Sequence, residues 1–271
     1  MKYADLHAHT VESDGTYTPI QLVREAIARG LSAVSIVDHD TVGAIAEALE
    51  EAQETSLEVI PGIELTSQYD RQEIHILGYF LDYQNKKLRD KLQLVQQDRI
   101  GRVYKIVANL KELGLELNPQ TVFDISGRGT VGRMHIARAL VKDGWVDSTA
   151  EAFRQYIGDK SPAYVLGFCF SPAEAIKLIR DAGGVAVLAH PFILHNDALI
   201  AEFVHCGLQG LEVYYPEHSQ SLVNFYLDLA KKLNLLVTGG SDFHGSAKPD
   251  IALGAIKIPL ELVEQLRQAR K

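Results

Sequence analysis

Tyr3-Ala4-Asp5-Leu6-His7-Ala8-His9, Thr18-Pro19-Ile20-Gln21-Leu22-Val23-Arg24-Glu25-Ala26-Ile27-Ala28-Arg29-Gly30 and Ala33-Val34-Ser35-Ile36-Val37-Asp38-His39 follow one another at the start of the chain. The outer two are short aliphatic or β-branched runs closed by polar residues, which predicts strands. Between them, Ile20, Val23 and Ile27 share one stripe of a helical period. Thr18 offers an N-cap with Pro19 in the first turn, and Gly30 suits the helix end. The stretch predicts a strand, a helix and a second strand.

The same alternation recurs outward. Runs at 58–63, 73–79, 185–189, 210–214 and 235–238 join 3–6 and 33–37 as seven candidate strands. A helix over 172–182 repeats the capping device, with Ser171, Pro172 and Glu174 at its start, Ala175, Ile176 and Ile179 on its apolar stripe, and Gly183 after it. Strands alternating with helices imply a parallel sheet, and seven or eight such units close most simply into an α/β barrel. The alternation stops over 84–163. There 88–113 reads as one long helix stopped by Gly114, followed by helical segments at 119–125, 133–142 and 149–157, separated by Ser126-Gly127-Arg128-Gly129 and Gly144. This predicts a helical insertion subdomain (84–163) over the mouth of a barrel made from 1–83 and 164–271. Trp145 and Leu110, Leu113 and Leu117 are expected in its core.

Composition agrees with a globular protein. Of 271 residues, 46% are hydrophobic and 23% charged, which supports a sizeable core and excludes disorder. No run of about 18 apolar residues and no apolar leader is present, so a cytoplasmic protein without membrane contact is expected. Cys169 and Cys206 lie outside any Cys-x-x-Cys spacing, which argues against a disulfide framework or thiolate zinc site and predicts buried free thiols. The net charge of -8 speaks against binding long double-stranded nucleic acid. Yet 84–160 carries 14 Lys or Arg against 9 Asp or Glu, leaving 13 against 26 elsewhere. A basic insert facing an anionic substrate above an acidic site is the expected arrangement.

The polar residues closing the strands carry the chemistry. In His7-Ala8-His9 and Asp242-Phe243-His244, residues two apart on a strand point to one side and can reach one ion. Asp38-His39-Asp40 ends the second strand, Glu64 the third, His75 lies in the fourth and His190 ends the fifth. In a parallel barrel all strand C-termini open on one face, so these residues converge without proximity in sequence. Imidazole mixed with carboxylate and free of thiolate suits manganese, zinc or iron. A carboxylate such as Glu64 can bridge two ions, and ions about 3.5 to 4 Å apart can clamp the attacking and leaving oxygens of an in-line displacement. Phosphate ester cleavage is the expected chemistry. Asp5, Asp38 and Asp40 flank ligand histidines and are candidates to accept the second imidazole N–H.

Asp5-Leu6-His7-Ala8-His9-Thr10 with Ser13-Asp14-Gly15, Asp38-His39-Asp40-Thr41, Pro61-Gly62-Ile63-Glu64, His75-Ile76-Leu77-Gly78-Tyr79, Ala189-His190-Pro191 and Gly240-Ser241-Asp242-Phe243-His244 together resemble the polymerase and histidinol phosphatase (PHP) family across the whole chain. The resemblance is strongest to its branch acting on nucleoside 3',5'-bisphosphates or degrading short RNA from the 5' end. It implies a distorted (β/α)7 barrel and two or three divalent ions, manganese foremost. His7, His9, Glu64 and Asp242 would hold one, Glu64, His75 and His190 a second, and Asp14, His39 and His244 a third. Some relatives carry histidine where this chain has Asp14. Gly132-Arg133-Met134-His135-Ile136-Ala137-Arg138, at a predicted helix start where backbone donors and a guanidinium can bind phosphate, is similar to that branch's substrate-phosphate motif, with Met134 where many relatives have proline. Lys160 falls at another position the branch uses for phosphate. Arg99 and Arg102 on the long helix and His218 after the sixth strand are further substrate candidates. Asp242, His190 and His244 are the candidates for the reaction itself, and a metal-bound water, His190 or His244 is the expected proton donor to the leaving group.

Two other functions are compatible with these residues. Histidinol phosphate could be the substrate of the same kind of site, although an insert that recognises a second phosphate speaks against it. A metal-binding regulatory module without catalysis is the other; the complete ligand set speaks against that.

Overall fold

A computed structural model of the chain describes residues 2–70, 72–168 and 170–270. In chain order the elements are β1 (Tyr3–Ala8), α1 (Pro19–Ala28), β2 (Ala33–Ile36), α2 (Ile45–Ala52), β3 (Glu58–Tyr69), β4 (Gln72–Tyr79), α3 (Lys86–Glu112), α4 (Pro119–Ser126), α5 (Arg133–Lys142), α6 (Thr149–Ala152), α7 (Pro172–Asp181), β5 (Val185–Leu188), α8 (Ala198–His205), β6 (Gly210–Tyr214), α9 (Gln220–Leu233), β7 (Leu236–Gly239), β8 (Ile258–Pro259) and α10 (Leu260–Ala269). The caps form as the sequence predicts. Thr18 accepts from Gln21 N while Thr18 N donates to the Gln21 side chain, and Ser171 and Glu174 make the same reciprocal pair at α7.

The strands form one sheet in the order β7-β6-β5-β4-β3-β2-β1-β8. It is a distorted barrel: beyond the last strand of that order, His9 N donates to Phe243 O (2.9 Å) and Phe243 N to His7 O (3.3 Å), stitching the segment after β7 to β1. The sheet is not all-parallel, which corrects one expectation. β4 runs antiparallel to both β3 and β5, and the short β8, which the sequence did not reveal, runs antiparallel to β1. The physical reason is the absence of a helix between β3 and β4. β3 continues to Tyr69 rather than ending at 63, and the chain doubles back as a hairpin.

The reversal brings the N-terminal half of β4 to the mouth, pairing His75 with Thr66 of β3. Side chains alternate along each strand, so Ile60 shares a face with Glu64, and Leu77 and Tyr79 share a face with His75. Ile60, Leu77 and Tyr79 are buried in one apolar cluster with Val185 and Val187. The inward face is thus apolar below and polar at the mouth.

α3 spans two cores. Its Leu88, Leu92 and Val95 join the cluster that α7, α8 and α9 form on the outer face of the sheet, whereas Val103, Ile106 and Leu110 join a separate cluster with Val122, Leu140 and Ile157. Packing along α3 therefore changes between Val95 and Val103. A π-type turn, Phe153–Ile157, extends α6. Leu110 and Leu117 are core residues as expected, but Trp145 and Leu113 are 40% and 43% exposed. Gly114 and Gly144, both at positive φ, turn the chain beside them at helix ends. Cys206 is free and exposed, not buried as expected, and the expectation for Cys169 lies outside the described residues. No helix among the described residues is long and apolar enough to cross a membrane.

Candidate metal centre

Glu64, inside β3, is the hub of the barrel mouth. Its Oε2 lies 3.4 Å from His7 Nε2, 3.3 Å from His9 Nε2 and 3.3 Å from His39 Nδ1, while its Oε1 lies 3.0 Å from His75 Nδ1 and 3.2 Å from His190 Nε2. One carboxylate oxygen thus faces three imidazoles and the other faces two, the arrangement a bridging ligand needs. Asp242 Oδ1 sits 3.4 Å from His7 Nε2 and 3.2 Å from His9 Nε2. Asp14 Oδ1 lies 3.2 Å from His244 Nε2, and its Oδ2 lies 3.9 Å from His39 Nε2. Two of these residues, His190 and Asp242, have left-handed backbone (φ 26° and 54°), a strained conformation that aims a strand-end side chain across the mouth.

Three overlapping groups have donor atoms all within 4.8 Å of one another: His7, His9 and Asp242; His39, Glu64 and His75; and His9, Asp14, His39 and His244. The grouping implied by the resemblance assigned His9 and His39 to one ion each. Here each of them reaches two groups. His7 Nε2, His9 Nε2, Asp14 Oδ1 and His39 Nδ1 are buried and make no hydrogen bond. A buried polar atom without a partner costs free energy, and four such atoms in a shared set of imidazoles and carboxylates fit divalent cations.

Electrostatics agree. Burial disfavours charge on His9 and His75, yet Asp242 and Glu64 raise the first to about 9, and Glu64 and Glu73 the second to about 10. His39 is depressed to about 4 because burial outweighs Glu64 and Asp14. Glu64 and Asp242 are held well below the usual carboxylate range: burial opposes this, but the imidazoles around Glu64, and Lys248 with His244 and His7 around Asp242, prevail. The carboxylates hold their charge in a place that demands positive partners.

The groups orienting these side chains differ from those expected. Glu212, buried within β6, takes His7 Nδ1 at 2.8 Å and accepts from His190 N at 2.8 Å. Glu73 holds His75 Nε2 at 3.1 Å, and Tyr215 OH donates to Asp242 Oδ2 at 2.8 Å. Asp5, Asp38 and Asp40 bond no imidazole. Asp5 accepts from the backbone of His7, Ser241 and Gly254; Asp38 takes Thr10 and Ser13; Asp40 takes Thr66 N and Arg99. They fix the loops that carry the ligands. A charged Glu212 within the apolar run Gly-Leu-Glu-Val-Tyr, and Glu73 two residues from His75 on one strand face, were signals available in the sequence.

The insert supplies the opposite wall of a cavity of about 240 Å³ whose lining includes Asp14, His39, Glu64, His75, His190, Asp242 and His244 on the barrel side and Arg99, Arg102, Arg133 and His135 on the other. Arg133 pairs with Glu73 (2.9 Å) and Asp159 (2.5 Å) and stacks over Phe153 and Tyr164. Arg102 donates to Val165 O and stacks on the same Tyr164 ring, while its Nη2 is buried without a partner. Arg99 is committed to Asp40 and Thr66, so it ties α3 to the barrel. His135 is buried, accepts from Gly132 N through Nδ1, and is depressed to about 4 mainly by burial. Two candidates fall elsewhere. Lys160 is exposed and outside the cavity lining, and His218 packs among Phe192, Tyr215 and Tyr226 with Nδ1 donating to Val213 O.

The PHP domain family matches residues 5–159. A 5'-3' exoribonuclease of Haemophilus influenzae is 33% identical over 90% of this chain and 90% of its own length. A 3',5'-nucleoside bisphosphate phosphatase of Chromobacterium violaceum is 32% identical over 90% of this chain and 88% of its own. The crystal structure of a Bifidobacterium adolescentis protein assigned as a metal-dependent phosphoesterase superposes with a TM-score of 0.90 at 33% identity, covering 97% of this chain and 94% of that one. These matches span barrel and insert alike, and the chain belongs to the PHP family of metal-dependent phosphoesterases.

Proposed function

We propose that this enzyme hydrolyses phosphate esters of nucleotides, acting as a nucleoside 3',5'-bisphosphate 3'-phosphatase, as a 5'-3' exoribonuclease on short 5'-phosphorylated RNA, or as both. The observation carrying this reading is one cavity with an imidazole and carboxylate cluster on one wall and Arg102 and Arg133 on the other. His7, His9, Glu64 and Asp242 would hold one ion, Glu64, His75 and His190 a second, and Asp14, His39 and His244 a third, manganese being the first choice and zinc or iron also suited to these donors. When bound, the ions supply Lewis-acid stabilisation of phosphoryl charge and activation of water.

The chain's own residues supply the rest. Arg133, set by Glu73 and within cation–π reach of Phe153 and Tyr164, presents a preformed guanidinium to a substrate phosphate. Arg102 adds a second cation whose buried Nη2 lacks a protein partner. His190 and His244 line the cavity, and whichever of the two holds no ion can hand a proton to the leaving oxygen. The helices following Val103 act as a substrate-selecting subdomain.

The test is phosphate release with manganese from adenosine 3',5'-bisphosphate, AMP, 5'-phosphorylated short RNA and histidinol phosphate. Turnover of the bisphosphate or the RNA well above AMP is the expected result, and preference for histidinol phosphate would overturn the substrate assignment.

A further inference from the structure

Lys248 is neither one of the proposed metal ligands nor part of the insert. It follows the short turn Gly245–Ala247 after His244, lines the cavity with Asp242 and His244, and keeps 31% of its side chain exposed. Its Nζ lies 2.6 Å from Asp242 Oδ2, the oxygen that Tyr215 OH also contacts at 2.8 Å. The other oxygen, Oδ1, is the one facing His7 and His9. A neutral hydroxyl already satisfies and orients Oδ2, so Lys248 is not required to turn the carboxylate. An ammonium group has three N–H donors, and among the described residues only Asp242 takes one of them.

Charge makes the placement more pointed. Two or three divalent ions carry more charge than the three carboxylates that reach them, Asp14, Glu64 and Asp242. A further fixed cation beside such a site is repelled unless an anion enters with it. Lys248, from the barrel, and Arg133, from the insert, line the same cavity, so an anion held there is within the field of both cations. We infer that Lys248 is a catalytic residue that contacts the phosphoryl group undergoing hydrolysis and stabilises the charge on its oxygens, working together with Arg133. The inference rests on the phosphoesterase reading above and deepens it by dividing phosphate recognition between barrel and insert.

The experiment compares Lys248→Met, Lys248→Arg and Tyr215→Phe with the wild type. It measures manganese affinity and inorganic phosphate affinity by calorimetry, thermal melting to establish folding, and kcat and KM on the ester that the wild type prefers. Lys248→Met is expected to bind manganese within about threefold of wild type, to bind phosphate at least about tenfold more weakly, and to lose about 10²-fold in kcat/KM, the scale of removing one charge-stabilising donor. Lys248→Arg should regain part of both losses. Tyr215→Phe should instead weaken manganese binding by about 10-fold or more, as loss of a ligand-orienting group does. Unchanged phosphate affinity in Lys248→Met, with or without weaker manganese binding, would overturn the inference and leave Lys248 as a strut for Asp242. Should the wild type hydrolyse none of the esters, the phosphoesterase reading fails, while the phosphate-affinity comparison still decides the role of Lys248.

Discussion

On the barrel wall of the cavity, Glu64 and His75 project from paired strands, His7 from β1 and His9 from the residue after it, where a hydrogen bond to Phe243 O holds its backbone, and Glu212 and Glu73 lock two of the imidazoles. On the insert wall, Arg133 is held by ion pairs to Glu73 and to Asp159, itself 40% exposed, and by contact with two aromatic rings. Glu64 and His75 cannot shift without disturbing the sheet. The insert wall can exchange a carboxylate for a substrate oxygen at little cost, because Asp159 returns to water. Segment charge follows the same division, with 14 basic against 9 acidic residues in 84–160 and 13 against 26 elsewhere. On the proposed reading the barrel sets the chemistry, and the insert shares recognition of the anion with Lys248 of the barrel.

The largest effects should come from the barrel. Glu64→Gln removes the carboxylate that faces five imidazoles and should lower phosphate release by at least about 10³-fold with excess manganese, since both charge stabilisation and ion positioning depend on it. Circular dichroism would check that the fold persists, and near-normal turnover would break the assignment of this wall to catalysis. Arg133→Ala comes next. Losing one partner of a buried, charge-paired set costs about 2–5 kcal/mol, on the order of 10²-fold or more in kcat/KM, whereas manganese affinity should stay near wild type. A variant losing manganese binding to the same degree would show that the walls are one unit.

Glu212→Gln should fall between the two in mechanism and below both in size, weakening manganese affinity by about 10- to 100-fold without altering the ranking of substrates in the ester panel. Its neighbour in space was hidden in the sequence because 205 residues separate His7 from Glu212. Strand-end histidines were legible, since a two-residue spacing after an aliphatic run has few other meanings when it recurs. The β3–β4 hairpin was only partly legible. Residues 64–72 contain no helical stripe, yet a strand-helix alternation on either side pulled the expectation toward an all-parallel sheet. Lys160 and His218 show a different limit. Position beside a motif does not give direction, and the first points to solvent while the second turns back onto Val213 O and a cage of rings.

The smallest effect on chemistry should come from the insert's own core. Leu140 is fully buried among Val103, Leu110, Val122 and Ile157, in a cluster that includes no barrel strand. Leu140→Ala removes its side chain from a packed interior and should cost about 2–5 kcal/mol locally. Because Leu88, Leu92 and Val95 anchor the first half of α3 in the barrel cluster, that loss should loosen the insert and leave the sheet in place. Hydrogen exchange would then show faster opening of α4 and α5 with β1 and β3 unchanged, and manganese affinity would hold within about threefold, since sub-global unfolding of one unit leaves another protected. The KM for the bisphosphate should rise, since Arg133 begins α5. If exchange instead accelerates equally in β3, the two cores fold as one, and the contrast between a fixed metal wall and an adjustable phosphate wall would have to be sought in side-chain exchange at Asp159 alone.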